Sequence, residues 1–255
     1  MPKKYDNERV SVITPVYNAA RFIAGTVESA VTQTYKDIEI VLVDDCSKDN
    51  SAEIIAELQK KYSNIVYHKQ EKNQGAAVAR NAALNLATGR YVAFLDSDDL
   101  WLPEKIERQL ALMKEMECPF CYAAIDFMDE EGNVIKGKRN IQETCDYKYL
   151  LHNTIIATST VVIDRNVLGD FQMPLRRGGQ DYATWLMLLR NGTIARGINE
   201  VLSHYRISSG SLSSNKWKSI KQVWQIQTHD EGINKVKVVW HVCCFIWNAL
   251  KKYKL

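Results

Sequence analysis

No charge of one sign dominates this sequence. Its 33 lysines and arginines against 30 aspartates and glutamates leave a net charge of +3, too mild to argue for nucleic acid as a partner. Six cysteines (Cys46, Cys118, Cys121, Cys145, Cys243, Cys244) follow no disulfide spacing, and the start carries no secretory-signal pattern, so a reducing cytosol is expected. The C-x-x-C at Cys118 and Cys121 has no second pair. Buried thiols beside a turn at Pro119 are a simpler reading than a metal or redox site. The apolar run at 238–250 is interrupted by His241 and Asn248 and falls short of the ~20 apolar residues a spanning helix needs. Internal repeats and low-complexity segments are missing too. With 46% hydrophobic and 25% charged residues, what remains is an ordinary globular chain of one large domain or two small ones.

Alternation is what the sequence does have. Residues 9–16 form a β-branched run stopped by Pro15, and a helical pattern follows with Phe22, Ile23, Val27, Ala30 and Val31 on one face. A second strand at 38–43 ends in Asp44-Asp45. Asn50 and Glu53 have capping-box spacing before a helix that carries Ile54, Ile55 and Leu58. A short strand at 65–67, a small-residue helix at 75–87 and a strand at 90–95 come next. Pro103 then opens a helix through 117. Strand and helix alternating over about 100 residues predict a Rossmann-like, doubly wound parallel sheet. The turn after the first strand reads T-P-V-Y-N rather than G-x-G-x-x-G, which argues against a dinucleotide cofactor. In such sheets ligands bind beyond the carboxyl ends of the strands. Three polar clusters fall there: Pro15-Tyr17-Asn18, Asp44-Asp45 and Asp96-Ser97-Asp98.

The last cluster, in AFLDSDDLW, packs Asp96, Asp98 and Asp99 into four positions after an apolar strand. Like charges that close repel unless a cation or water intervenes. Mg²⁺ or Mn²⁺ suits one or two such carboxylates, with water and phosphate oxygens completing the shell. The alternative is a solvated acidic turn near a helix start.

The segments VSVITPVYNAARFIAGTVESAVTQTYKDIEIVLVDDCSKDNS and NQGAAVARNAALNLATGRYVAFLDSDDLW, followed by GQDYATWLMLL and YRISSGSLS, resemble the family 2 inverting glycosyltransferases of the GT-A fold. The resemblance implies an enzyme whose first strand ends hold a nucleoside diphosphate sugar. Pro15, Tyr17 and Asn18 would line the base and ribose. Asp45, or Asp44 beside it, would accept from donor groups of the base or ribose. Gly75 and Arg80 would contribute to the nucleotide pocket. Asp96 would bind the ribose side with Ser97 among the donor contacts. Asp98, with Asp96, would hold the Mn²⁺ or Mg²⁺ that bridges the two phosphates. Asp181 would be the base that takes the acceptor proton; its neighbour is Gln180, where the family usually has Glu. On the residues alone, Asp181 reads rather as a helix N-cap. The segment 204–213 resembles a mobile loop in which Arg206 and the serines donate to phosphate oxygens. The Gln-x-x-Arg-Trp motif and multiple spans of processive synthases are missing, so a non-processive transferase is expected.

From about residue 120 the periodicity weakens, which suggests a smaller mixed extension. The expected organisation is one GT-A domain over 1–215, with a donor half at 8–118 and an acceptor half at 119–215, then a helical tail at 216–255. In that tail Val236, Trp240, Cys243, Trp247 and Leu250 recur at helical spacing beside several lysines. This suits either a membrane surface, through an amphipathic helix, or a helix packed on protein. The expected partners are a nucleoside diphosphate sugar and a sugar or lipid-linked acceptor. The expected place is the cytoplasm, at the inner face of the membrane if the tail binds there. Two other readings stay open: a sugar nucleotidyltransferase, which would normally show a glycine-rich basic loop after the first strand, and an inactive nucleotide-sugar binder in an assembly.

Overall fold

β-Branched runs and apolar-periodic segments alternate as β1 (Val10–Val16), α1 (Ile23–Val31), β2 (Ile38–Asp44), α2 (Ser51–Lys61), β3 (Ile65–Lys69), α3 (Ala76–Leu86) and β4 (Tyr91–Phe94). The computed structural model describes residues 5–207 and 216–252. In it these strands lie side by side as β3-β2-β1-β4, every neighbouring pair parallel. β2 is buried along its whole length, as expected of a strand covered by helices on both faces. The chain continues through β5 (Leu100–Trp101), α4 (Lys105–Glu115), β6 (Phe120–Met128), β7 (Val134–Arg139), β8 (Thr144–Cys145), α5 (Tyr147–Leu151), β9 (Val162–Asp164), α6 (Arg165–Leu168), α7 (Gln180–Leu189) and β10 (Ala195–Arg206). A helical pair, α8 (Lys216–Gln225) and α9 (Lys235–Lys252), closes the described chain, joined through a π-helical turn at Ile226–Asp230.

One sheet runs through both expected halves, in the order β3-β2-β1-β4-β9-β6-β10-β5. β9 enters antiparallel between β4 and β6, while β6 and β10 pair in parallel. The fold is thus α/β, with a doubly wound parallel half and a mixed extension. One face of the sheet packs on α1, α2 and α4 through Ile23, Val27, Ile55 and Ile106. The other packs on α3, α5 and α7, with Val223 and Ile226 of the C-terminal segment joining the same core.

Two local expectations change. Asn50 makes no side-chain cap bond; Asp49 instead accepts from the Ser51 N–H at 3.1 Å and from the Ser51 hydroxyl at 2.6 Å. α4 starts at Lys105 with Glu104 as its cap, so Pro103 precedes the helix and its carbonyl accepts from the Thr34 N–H at 2.9 Å.

Trp185 fixes α7 on the sheet. It is fully buried and sits edge-on to Phe94 at 5.4 Å and to Phe120 at 5.3 Å. Those rings belong to β4 and β6, so one side chain ties a helix to two strands distant in sequence. Trp185→Ala removes that link, and urea unfolding followed by far-UV circular dichroism is expected to show a loss of about 3–5 kcal/mol.

Candidate active site

The polar clusters read from the sequence sit where strands run out into loops, and the physics there sorts them into two groups. Asp44 is completely buried. Its oxygens accept from the Ser47 N–H at 2.7 Å and from the Tyr67 hydroxyl at 3.0 Å. It fastens the turn after β2. Asp45 is also buried and accepts from the Gln74 N–H at 2.8 Å and the Gly75 N–H at 2.7 Å. These bonds pin the start of α3. Gly75 has φ +94°, a conformation that side-chain-bearing residues rarely adopt. Asn18 joins the loops after β1 and β2: its N–H donates to Ser47 Oγ at 2.9 Å and its Oδ1 accepts from the Lys48 N–H at 2.9 Å. Tyr17 is exposed and Pro15 half-buried. The Ser97 carbonyl accepts from the Thr26 hydroxyl at 3.0 Å.

Five further site residues line one cleft of about 440 Å³: Arg80, Asp96, Asp98, Asp181 and Arg206. Arg80 reaches it from α3, whose alanines allow close approach to the sheet. It is 6% exposed, and its Nη2 donates to Asp96 Oδ1 at 2.5 Å. Burial alone would push the Arg80 pKa down, but Asp96, Asp181 and Asp98 outweigh it and raise it. The guanidinium therefore stays charged among three carboxylates.

Asp98 has its carboxyl pushed up to about 6, first by burial and then by repulsion from Asp96. Asp99 is buried more deeply, and burial, Asp98 and Asp96 in that order raise it well above the usual carboxylate range. It accepts from Ser159 Oγ at 2.5 Å and the Arg206 N–H at 2.9 Å, so it holds β10 to the strand end rather than facing the cleft.

Arg206 is the last residue of β10, not part of a loop. Its Nε donates to the Asp98 carbonyl at 2.7 Å, and its Nη1 donates to the carbonyls of Asp129 at 2.8 Å and Glu130 at 3.0 Å. The guanidinium also lies 4.6 Å from the Phe22 ring centre. The expected loop position is thereby corrected: strand pairing places Arg206 in the sheet, where it clamps backbone and still lines the cleft. The serines expected beside it lie outside the described residues.

Asp181 is the second residue of α7, whose N-cap is Gly179 in the left-handed region. It is thus not the N-cap, and Thr158 Oγ1 donates to its Oδ2 at 3.1 Å. Several buried polar atoms at the cleft find no hydrogen-bond partner among the described residues: Arg80 Nε and Nη1, Gln180 Oε1 and Trp185 Nε1. Native interiors rarely leave such groups unpaired without a ligand or water to meet them.

Sequence reasoning missed the far wall of the cleft. Arg177, Tyr205, Gln222 and Phe245 also line it, so α8 and α9 border the site. The available signal was the Gly178-Gly179 pair. A Cβ at Gly178 would lie 2.1 Å from Gln222 Nε2, so a side chain there would displace the end of Gln222 on α8. Among the described residues no three His, Cys, Asp or Glu side chains converge as a ready-made cation cage.

The family model for glycosyl transferase family 2 matches residues 11–172, spanning the strand ends and most of the cleft's sheet wall. The chain belongs to glycosyl transferase family 2. This family 2 glycosyltransferase is 44% identical to TuaG of Bacillus subtilis (strain 168), named for teichuronic acid biosynthesis, over 95% of this chain and 96% of that one. It is 41% identical to WfaP of Escherichia coli, a UDP-Glc:alpha-D-GlcNAc-diphosphoundecaprenol beta-1,3-glucosyltransferase, over 84% and 83% of the two chains. Among solved structures, Staphylococcus aureus TarS with UDP-GlcNAc superposes with a TM-score of 0.72 at 20% identity, covering 93% of this chain and 71% of TarS. The mannosyltransferase PcManGT of Pyrobaculum calidifontis with GDP-Man and Mn²⁺ gives 0.69 at 17% identity, over 96% and 75%. These neighbours establish the GT-A fold.

The raised Asp98 carboxyl gives a pH signature in chelator-treated protein. A carboxyl whose folded pKa exceeds its unfolded value leaves stability intact below about pH 4 and weakens the fold as pH rises toward about 6. Asp98→Asn removes that cost. Urea unfolding at pH 8 is expected to show the variant more stable by about 1–3 kcal/mol, with the gap closing at pH 4.

Proposed function

We propose that this chain is an inverting, non-processive, metal-dependent transferase. It moves one sugar from a nucleoside diphosphate sugar, with UDP-sugars favoured, to a hydroxyl of a lipid-linked acceptor during cell-surface polysaccharide assembly. The observation that carries this reading is a single cleft shared by Asp181 and by the Arg80-Asp96-Asp98 cluster. Asp181 has the chemistry of a base and the cluster that of a diphosphate site. The lipid-linked acceptor rests on the diphosphoundecaprenol named for WfaP, and the UDP donor on the names of WfaP and the UDP-GlcNAc complex of TarS. Residues 8–118 bind the donor and 119–215 the acceptor, with α8 and α9 of the C-terminal tail bordering the cleft. The enzyme resides in the cytoplasm, peripherally at the inner face of the membrane; among the described residues no helix is long and apolar enough to cross a bilayer.

Asp98 and Asp96 fit Mn²⁺ or Mg²⁺. They are adjacent hard oxygen donors, and Asp98 carries a carboxyl that burial and Asp96 destabilise when charged, a cost a cation would relieve. Such an ion, when bound, supplies positive charge against the departing diphosphate. The chain's own residues do the rest. Arg80 holds Asp96 in place and keeps positive charge beneath the cleft. Asp181, oriented by Thr158, takes the acceptor hydroxyl proton as that oxygen attacks the anomeric carbon from the face opposite the leaving group. One C–O bond forms, the sugar–phosphate C–O bond breaks, and the nucleoside diphosphate leaves with both bonding electrons. Attack from the opposite face inverts the anomeric configuration. A positioned carboxylate base contributes ~10²–10⁴-fold.

The test incubates purified protein and Mn²⁺ with UDP-, GDP- and dTDP-sugars, with lipid extract as acceptor, beside Asp181→Asn. One donor is expected to be turned over, with transfer by the variant reduced ~10²–10⁴-fold and donor affinity retained. Wild-type transfer by Asp181→Asn rejects the base. Failure to bind any donor overturns the reading.

A further inference from the structure

α9 is apolar on both sides. Val238, Val242 and Phe245 face the protein and join its core. The opposite stripe holds Val236, Val239, Trp240, Cys243, Ile246 and Trp247. Exposure there reaches 79% at Val236, 67% at Trp240 and 61% at Trp247. A helix apolar all round normally has its second face covered, and large exposed aromatics clustered on one face mark an interaction surface. Trp217 of the neighbouring α8 is 81% exposed as well. Beside the stripe runs a shallow groove of about 480 Å³, lined by Tyr149, His152, Trp240, Cys243, Trp247 and Asn248.

Charge identifies the occupant. Residues 216–252 hold seven lysines and two acidic residues, Asp230 and Glu231. Both acids are neutralised from within, Asp230 by Arg176 at 2.7 Å and Glu231 by Arg190 at 2.8 Å. The helical pair thus presents tryptophans beside a net excess of positive charge. A two-fold contact with a second copy would set lysines against lysines, whereas an anionic bilayer surface satisfies both features. Tryptophan prefers the headgroup level, and lysine stems reach outward to phosphates.

We infer that the outer face of α9, with Trp240 and Trp247 as anchors and Lys235 and Lys237 beside them, is the docking surface for an anionic phospholipid membrane. Phe245 on the inner face lines the transfer cleft, so the helix that lies on the bilayer also borders the place where the acceptor must arrive. This last consequence rests on the proposed lipid-linked acceptor; the docking itself does not.

The test is vesicle flotation of the full chain with phosphatidylglycerol–phosphatidylethanolamine vesicles against pure phosphatidylcholine, at low and high salt, together with tryptophan emission. Wild-type protein is expected to float with the anionic vesicles, with a blue shift in emission and weaker binding in salt. The double variant Trp240→Ser, Trp247→Ser is expected to lose at least about tenfold in vesicle affinity. Lys235→Glu with Lys237→Glu is expected to lose roughly fivefold or more per lysine. Both variants should keep wild-type circular dichroism and donor affinity, because all four residues are exposed and away from the cleft. Equal flotation of wild type and variants overturns the inference. So does a wild type that ignores vesicles, and light scattering showing a dimer that the tryptophan variant splits would give the face to a second copy instead. Flotation without turnover of any donor would keep the docking surface and reject the transferase mechanism; turnover on a water-soluble acceptor without flotation would do the reverse.

Discussion

A guanidinium buried among carboxylates governs this molecule. Arg80 is almost sealed from solvent yet stays charged because Asp96, Asp98 and Asp181 surround it. Taking such a charge out of water is costly unless partners meet it, and three carboxylates crowded together would repel without it. Each side makes the other tolerable. The arrangement also forces three distant parts of the chain together: α3, the end of β4, and the start of α7. The parallel strand order and the small residues of α3 serve to deliver these groups to one cleft.

The other aspartates at the sheet edge show how the site is kept open. Asp44, Asp45 and Asp99 spend their oxygens on backbone and hydroxyl donors, which freezes the loops that frame the cleft. Asp96, Asp98 and Asp181 line the cleft itself. Frozen neighbours let the cleft hold a destabilised Asp98 and several unpaired buried donors, a cost in stability of the kind functional sites carry. Arg206 belongs with the framing group: its Nε and Nη1 bind backbone carbonyls and set the wall beside Asp98.

The first half of the fold was legible because its strands and helices alternate regularly and its helices show a clear apolar period. Motif residues 96, 98 and 181 were legible because they stand in recognisable segments. Less legible were facts fixed by pairing between distant segments. β9, β6 and β10 join the sheet out of sequence order, and only their pairing turns Arg206 from a loop residue into a strand residue. The identity of neighbouring acids is similar: Asp44 and Asp45 look alike in sequence, and only the fold shows that one meets Ser47 and Tyr67 while the other pins the start of α3. Periodicity found the tail stripe but not its direction. Val236, Trp240, Cys243 and Trp247 face outward, a second apolar set faces inward, and the side chain of Leu250 lies outside the described residues.

The C-terminal helices are part of the enzyme's site as well as its surface, since Gln222 and Phe245 close the cleft opposite the aspartates. The account nevertheless stands or falls on Arg80 as the residue that positions the carboxylates. The most direct measurement is single-turnover sugar transfer by Arg80→Lys, with folding verified by circular dichroism. Lysine keeps the charge but not the planar fork. A folded variant that transfers about 10²-fold more slowly, as displaced reacting groups predict, supports the account. A folded variant within a few-fold of the wild-type rate contradicts it.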